Sequence, residues 1–465
     1  MKMVKSLLLG TAAGLVAMSG AQAADLPVKA KPVQYVKICS LYGAGFYYIP
    51  GTDTCIKVGG WVRMQMGAGY SGNMTNGPLA SNVNDRSTTD FSTRNRGYVT
   101  ADARSQTEYG TLRAYIAVGL NGDNAGNSKA SSDATGTTAG IATSSAFSSN
   151  RAFIQFAGFT AGRSQSFYDH MNYAAVSYHG GSVWTPNGAD TGDGGKQVLA
   201  YTAQLGNGIS ATLSAEDKRR GGTSTLLTAV ALTTSTATSG PVGDKMPDFV
   251  GNLRIDQAWG SAQVMGAVHD ASAMYNDALL ATHPSNILGY AIGAGIRVNA
   301  PMLGAGDYFQ AQFNWTKGAI GYAMLTGVNL KKTNGSESGF GIVSDGVYSG
   351  VAGADVQLTT AWSAGASFEH NWNPKWKTSI YGGYTSVDYN DAATALFVGK
   401  TASANPDFKT WQVGTRTAWA PVNNLEVGLD VMYTKLQSAN SGVVATSQDQ
   451  SAWVSHLRVQ RNFYP

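Results

Sequence analysis

The stretch SAWVSHLRVQRNF, which runs from Ser451 to Phe463, alternates between apolar and polar side chains. One parity carries Trp453, Leu457, Val459 and Phe463, and the other carries Val454, His456, Arg458, Gln460 and Asn462. A period of two residues is typical of a β-strand with one apolar and one polar face. Such a strand covers the core of a soluble sheet protein, or it separates lipid from water in an outer-membrane barrel. One strand does not distinguish these two folds.

The same alternation recurs along the chain, and the recurrence favours a membrane barrel. The predicted strands are approximately 55–67, 90–105, 110–121, 150–158, 159–166, 196–205, 208–217, 249–258, 261–270, 287–299, 306–316, 355–371, 375–388, 407–420, 424–437 and 450–463. Only 13% of the residues are charged, and after the N-terminus no apolar run reaches the ~20 residues that a membrane-spanning helix needs. The sequence therefore predicts an all-β fold, a transmembrane 16-stranded antiparallel β-barrel.

The strand number depends on one segment, Ala319 to Met324, which could also be read as a strand. Bacterial barrels have even strand numbers, with short turns on one side and long loops on the other. Counted back from the C-terminus, 371–374 and 421–424 are short turns on the same side. A strand at 319–324 would put long stretches on that side, so we place this segment in a loop.

The first 23 residues are typical of a secretory signal peptide, with basic Lys2 and Lys5, an apolar core from Leu7 to Met18 and a small-residue cleavage site at Ala21 to Ala23. We divide the rest into an N-terminal periplasmic-side segment, 24–54, and the barrel, 55–465. Removing the two lysines from 33 basic residues leaves 31 against 29 acidic residues, a net charge of +2. This balance does not indicate a nucleic-acid partner.

The chain has two cysteines, Cys39 and Cys55, and both lie in the exported part. In an oxidising compartment two such cysteines are expected to form one disulfide. No histidine lies near enough in sequence to indicate a metal site with them. The predicted bond would attach the N-terminal segment to the start of the first strand.

Several motifs are similar to those of the porins of alphaproteobacterial outer membranes. They are YVKIC (35–39), YGAGFYYIPGTDTC (42–55), GWVR (60–63), PMLGAGD (301–307), EHNW (369–372), WKTS (376–379) and RVQRNF (458–463). The likeness extends from the signal peptide to the C-terminus and is weakest in the loops. Family members usually end at the phenylalanine, whereas this chain adds Tyr464 and Pro465. The resemblance implies a general diffusion porin and a homotrimer, with the first and last strands near the subunit contact.

A barrel of this size leaves an aqueous channel. We therefore expect passive diffusion of small hydrophilic solutes and ions through the outer membrane, without a cofactor or metal. The expected partners are membrane lipid, further copies of the chain and the solutes. A substrate-specific channel and a plugged, non-conducting adhesin or structural barrel are the alternatives.

Arginines concentrate on the polar parity of the first five predicted strands. They are Arg63, Arg94, Arg96, Arg104, Arg113, Arg151 and Arg163. A charged side chain facing lipid near the bilayer centre costs about 2–4 kcal/mol, so these residues should face the lumen or lie at its rims. We select Arg63, Arg94, Arg96 and Arg113 as pore-lining residues that make one wall of the channel positive.

The loop 167–195, after the fifth strand, is the candidate constriction loop. It carries aromatic residues that a solvated loop does not need, and in the similar family the corresponding loop folds into the barrel. Its acids are Asp169, Asp190 and Asp193, and we expect Asp169, near the start of the loop, to face the arginines. Opposed charges of this kind create a transverse field across a constriction.

An enzyme is the third alternative, because Asp169 and His170 are an acid–base neighbour pair close to Ser164 and Ser166. A hydrolase would need a nucleophile, a base and an orienting group that meet in space. The sequence contains no G-x-S-x-G, no H-E-x-x-H and no phosphate-binding glycine loop. We therefore predict a channel and not an enzyme.

Overall fold

The computed structural model describes residues 37–69, 91–123, 144–171, 175–178, 195–219, 223–225, 245–273, 285–324, 344–348, 355–398, 407–438 and 450–463. The chain divides into two compact units, Met1–Ile38 and Cys39–Pro465, and the strands below belong to the second. The predicted signal peptide lies outside the described residues and stays a prediction.

In the described ranges, sixteen long strands form one antiparallel barrel. They are β1 (Cys55–Gly69), β2 (Phe91–Thr107), β3 (Gly110–Asp123), β4 (Ser144–Phe156), β5 (Phe159–Ser164), β6 (Lys196–Gly206), β7 (Ile209–Glu216), β8 (Asp248–Gln257), β9 (Gly260–Asp270), β10 (Leu288–Asn299), β11 (Tyr308–Lys317), β12 (Thr360–Asn373), β13 (Trp376–Asp388), β14 (Phe408–Trp419), β15 (Leu425–Ser438) and β16 (Gln450–Asn462). Each strand pairs with its neighbours in sequence.

The first and last strands close the barrel. The register between β1 and β16 runs from Trp61 opposite Asn462 to Gly69 opposite Val454. Beyond it, the Phe463 N–H donates to the carbonyl of Gly60 at 2.9 Å. The predicted fold and strand number are confirmed. The segment Ala319 to Met324, which could have been read as a further strand, lies in a loop and contains one 3-10 turn, Ile320–Tyr322.

Short turns connect the strands at one end of the barrel and longer loops at the other. The turns from β4 to β5 and from β6 to β7 have two central residues each, and all four have positive φ: Ala157 (49°), Gly158 (86°), Asn207 (50°) and Gly208 (75°). Positive φ at both central positions is the geometry of type I′ hairpin turns, which match the twist of the strands. In bacterial barrels the short turns face the periplasm and the long loops face outward.

Side chains alternate across the wall as the sequence predicts. On β11, Phe309 and Phe313 are exposed on the outer face, whereas Gln310, Gln312 and Asn314 are buried on the inner face. On β16, Trp453 lies on the outer face and His456 on the inner one. An apolar exterior with a polar interior is the pattern of a barrel that surrounds water.

Smaller elements cover the two ends. Cys39 is bonded to Cys55 at the start of β1, which confirms the predicted disulfide. The loop after β13 contains one helix, α1 (Asp391–Val398). The loops after β7 and β11 meet in a small sheet of Thr223–Thr225, Gly346–Tyr348 and Gln357–Leu358. Among the described residues, no helix has the length and apolar character that crossing a membrane requires.

Candidate functional site: the channel constriction

The loop after β5 enters the barrel. Its first limb, residues 167–171, contacts the wall at β8, β9 and β11. The carbonyl of Phe167 accepts hydrogen bonds from Asn252 Nδ2 at 2.6 Å and Gln263 Nε2 at 3.1 Å. The backbone N–H groups of His170 and Met171 both donate to one acceptor, Gln312 Oε1, at 3.0 and 2.9 Å. Inward-facing amide side chains therefore satisfy a backbone that would otherwise be buried without partners.

A second limb of the same loop, Ala175 to Tyr178, contacts a different sector of the wall. The Tyr178 N–H donates to Asp430 Oδ2 on β15 at 3.1 Å, and its carbonyl accepts from Gln65 Nε2 on β1 at 3.2 Å. On β14, Arg416 Nη1 donates to the carbonyl of Val176 at 3.1 Å. Because the two limbs are bonded to separate sectors of the inner wall, the described parts of the loop lie inside the barrel, as predicted for a constriction loop.

Two glycines on the wall make room for the constriction loop. A side-chain carbon at Gly295 would lie 2.6 Å from His170 Cβ, and one at Gly428 would overlap the ring of Tyr178. The loop therefore packs directly on the strand backbone at both limbs. Sequence reasoning missed these glycines, because nothing local in a strand tells which loop will approach it.

The four selected arginines lie on the inner face of β1, β2 and β3. Arg63 and Arg96 are register partners on adjacent strands, and Gln65 is the partner of Arg94. Arg63 Nε donates to Gln460 Oε1 at 2.7 Å. In a barrel of this size β2 lies across the lumen from β10, so these arginines stand opposite the first limb of the constriction loop.

Arg113 is partly neutralised by an acid that sequence reasoning did not assign to the site. Its Nε and Nη2 atoms donate to the two oxygens of Asp102, both at 3.0 Å, and Arg104 binds the same carboxylate at 2.7 Å. Asp102 shares the inward parity of β2, so alternation alone could have found it. Asp102 therefore offsets part of the positive charge on β3.

Arg163 departs from its expected parity. The register pairs it with Ala152, which shares the outward parity of the exposed Ile154. Pairing along β5 is regular from Phe159 to Arg163, so alternation from the exposed Phe159 already places Arg163 on the outer parity. The assignment of Arg163 to the polar parity was therefore wrong.

The structure pairs Asp169 with an arginine that the sequence did not single out. Its carboxylate is 5% exposed and binds Arg219 Nη2 at 2.5 Å, on the loop after β7. Arg219 also donates to Ser166 Oγ at 2.9 Å. In a buried setting an acid and a base attract strongly, so Arg219 holds the carboxylate of Asp169 in place. Asp190 and Asp193 lie outside the described residues.

The contacts of His170 and Ser166 do not form the arrangement of nucleophile, base and orienting group that a hydrolase needs. His170 Nε2 lies 3.0 Å from Ser261 Oγ on β9, whereas Ser166 Oγ accepts from Arg219. Burial, with smaller contributions from Arg254 and other charges, lowers the pKa of His170 to about 4. A histidine with that pKa is neutral and a weak base at neutral pH.

The family profile described as the porin subfamily matches residues 25–457. The chain belongs to the porin subfamily. It is 35% identical over 267 residues to the porin Omp2b of Brucella suis biovar 1 (strain 1330), which covers 56% of this chain and 64% of the relative. The corresponding Omp2b of Brucella melitensis biotype 1 is 34% identical over the same shares. The match therefore spans less than two thirds of these relatives.

A solved structure supports the fold of this porin independently. The outer-membrane channel DcaP of Acinetobacter baumannii superposes with a TM-score of 0.57, covering 90% of this chain and 99% of DcaP, at 13% identity. At that identity the likeness concerns the fold alone. Family membership and the closed barrel together place the protein in the outer membrane as a multi-strand β-barrel.

Proposed function

We propose that this porin is a passive aqueous channel for small hydrophilic solutes and ions. The observation that supports the proposal is the constriction loop, whose two limbs are bonded to separate sectors of the inner wall and so occupy part of the lumen. A lumen lined by polar side chains replaces part of the water around a solute without binding it tightly. No catalytic step is part of this function.

We further propose a weak preference for anions. Arg63, Arg94 and Arg96 carry charges that stay fixed at any working pH, because the guanidinium does not deprotonate in proteins. The charge of Asp169 is balanced by Arg219, to which it binds. Positive charge on the wall of a narrow pore raises the local concentration of anions. Salt screens this effect over about 10 Å at 0.1 M, so it should be clearest in dilute electrolyte.

The assembly is proposed to be a homotrimer, in keeping with the family that the chain belongs to. Such trimers place barrel walls against each other while each lumen stays separate. Cross-linking of the purified, unheated protein tests this part of the proposal. A product of one size, at three times the monomer mass, is expected.

Single-channel recording in planar bilayers, with a KCl gradient, tests the function. The expected result is a conductance that does not saturate with salt and a reversal potential shifted modestly towards anions. Replacing Arg94 and Arg96 with alanine should move the reversal potential towards cations and raise the conductance. Lys375→Gln, which removes an exposed charge at a short turn, is the control and should change neither.

Three results would contradict the proposal. Folded protein that does not conduct would indicate a plugged barrel. Conductance that saturates with one solute only would indicate a substrate-specific channel. An unchanged reversal potential in the double arginine variant would place these residues outside the constriction.

A further inference from the structure

A buried histidine lies between two carboxylates at the loop end of the barrel. His269, on β9, places Nδ1 2.7 Å from Asp248 Oδ1 and Nε2 3.2 Å from Asp345 Oδ2. The three side chains are at most 3% exposed. Asp248 begins β8, and Asp345 belongs to the loop after β11.

The geometry at His269 calls for a charged ring. An ionised carboxylate only accepts hydrogen bonds, so each ring nitrogen must donate to keep its contact. The neutral imidazole has one N–H, whereas the imidazolium has two. Loss of the proton would leave one of the two aspartates facing a nitrogen lone pair in a buried site.

The two aspartates connect the loops after β7 and β11 to the barrel. Asp248 Oδ2 accepts from the backbone N–H of Arg219 at 3.0 Å and from Tyr322 OH at 2.8 Å. Asp345 Oδ1 accepts from the backbone N–H of Ile320 at 2.8 Å. His269 therefore joins the loops after β7 and β11, which also meet in the small sheet that contains Gly346–Tyr348.

The same loops contact the constriction loop directly. Arg219 Nη2 binds Asp169, and the Arg219 guanidinium lies 5.3 Å from the ring centroid of Tyr168 and 4.4 Å from that of Tyr322. The two tyrosine rings are 4.6 Å apart between centroids. A displacement of either loop would therefore reach the first limb of the constriction loop through packed side chains.

The proton on His269 matters for the net charge of the buried groups around it. Carboxylates face it from the constriction loop (Asp169), β8 (Asp248), β7 (Glu216) and the loop after β11 (Asp345), while the cations are Arg219 and Lys196 at the start of β6. The neighbouring Lys218 and Asp270 pair with each other at 3.3 Å. Without the imidazolium charge, the buried carboxylates outnumber their cations further, which destabilises the loop packing.

We propose that protonated His269 is a positioning residue of the channel, which holds the loops after β7 and β11 against the constriction loop and releases them at alkaline pH. The proposal rests on the proposed channel function. In this proposal His269, which lies in the barrel wall outside the constriction, controls the width of the constriction.

The test compares wild-type protein with His269→Gln and His269→Lys by single-channel recording from neutral to alkaline pH. Wild-type current should become larger and switch between levels as the pH rises. The glutamine variant should behave this way already at neutral pH and lose its pH dependence. The lysine variant, which keeps a positive charge, should keep the smaller and steadier current of neutral pH up to a higher pH than wild type does.

The matched control is His370→Gln. His370 also contacts a buried acid, Asp307, with Nδ1 at 2.5 Å from Oδ2, but at the short-turn end of the barrel. This variant should keep the wild-type pH profile. If it loses the profile as His269→Gln does, or if wild-type protein conducts but its current does not depend on pH, the proposal is overturned.

A second readout does not depend on conduction. Protease cleavage in the loop after β11 should accelerate at alkaline pH in wild-type protein, and at every pH in Asp345→Asn, which leaves all barrel strands unchanged. Equal cleavage of wild type and Asp345→Asn would refute the positioning role. Absence of current in all variants, with the cleavage pattern as expected, would count against the channel function and not against this contact.

Discussion

Asp430 anchors the second limb of the constriction loop, and its replacement by asparagine offers a sharp test of how that loop is held. Asp430 Oδ2 accepts from Ser177 Oγ at 2.5 Å and from the backbone N–H of Tyr178 at 3.1 Å. Oδ1 accepts from Tyr381 OH. Asparagine keeps the shape but presents an NH2 group, which cannot accept, in place of one oxygen.

The expected size of the effect follows from these bonds. If the asparagine oxygen stays with Tyr381, the Tyr178 N–H faces another donor. A hydrogen bond to a charged group contributes about 1.5–3 kcal/mol, so loss of this one bond alone weakens docking by that amount. Since each 1.4 kcal/mol is a factor of ten, the undocked population of the second limb should rise about tenfold to a hundredfold.

Single-channel recording and limited proteolysis of the folded variant measure this population. Asp430→Asn should show larger and more variable current steps and faster cleavage in the constriction loop than wild type. Glu426→Gln is the matched control, since it removes the same charge on the same strand. Its Oε1 accepts from Tyr178 OH at 3.0 Å, and glutamine can keep that bond.

The reasoning would be refuted by a specific result. If Asp430→Asn inserts as a folded barrel, with current and cleavage that match Glu426→Gln, then Asp430 does not hold the loop. A variant that fails to insert is tested instead through Ser177→Ala, which removes one of the same bonds from the loop side and leaves the strand intact. That variant should show a weaker change in the same direction.

Three further outcomes are expected. Asp102→Asn should release the guanidinium of Arg113 from its carboxylate and move the reversal potential further towards anions in dilute salt; an unmoved potential would mean that Arg113 is remote from the ion path. Mass spectrometry without reductant should recover one peptide that joins Cys39 and Cys55, and two free thiols would contradict the fold of the N-terminal segment. Phe463→Ala should lower the amount of protein inserted in the outer membrane, because the Phe463 ring packs directly on Gly60 where the first and last strands meet; equal amounts of variant and wild type would show that this ring is not needed for closure.

The strand pattern was predictable because it is a local property of the backbone. Successive side chains in a strand point to opposite faces. The face on which Arg63, Arg96 or Phe313 lies can therefore be inferred from the neighbouring residues alone. The even strand number and the loop assignment of Ala319 to Met324 followed from the same alternation, combined with the requirement that a barrel close. The disulfide was predictable for a simpler reason, since the exported chain offers one pairing.

The assignment of Arg163 did not follow the rule of alternation. Alternation from the exposed Phe159 puts Arg163 on the outer parity, and the regular register of β5 with β4 agrees, whereas the prediction counted Arg163 with the inward arginines.

The constriction depended on tertiary structure in a different way. Ser177 and Asp430 are 253 positions apart, and His170 and Gln312 are 142 apart, so no local signal joins them. Asp169 was expected to face the strand arginines because it lies near the start of the loop. The fold brings Arg219 to it from another loop, which no local pattern indicated.

Sequence alone therefore determined what lies on each face of the wall, because a period of two residues carries that information along a single strand. Closure of the barrel brings distant segments together. Only this decided which loop enters the lumen and which buried acid meets Arg219 or His269. Burial then selected among the possible partners, since a charge taken out of water is stable only beside its counterpart.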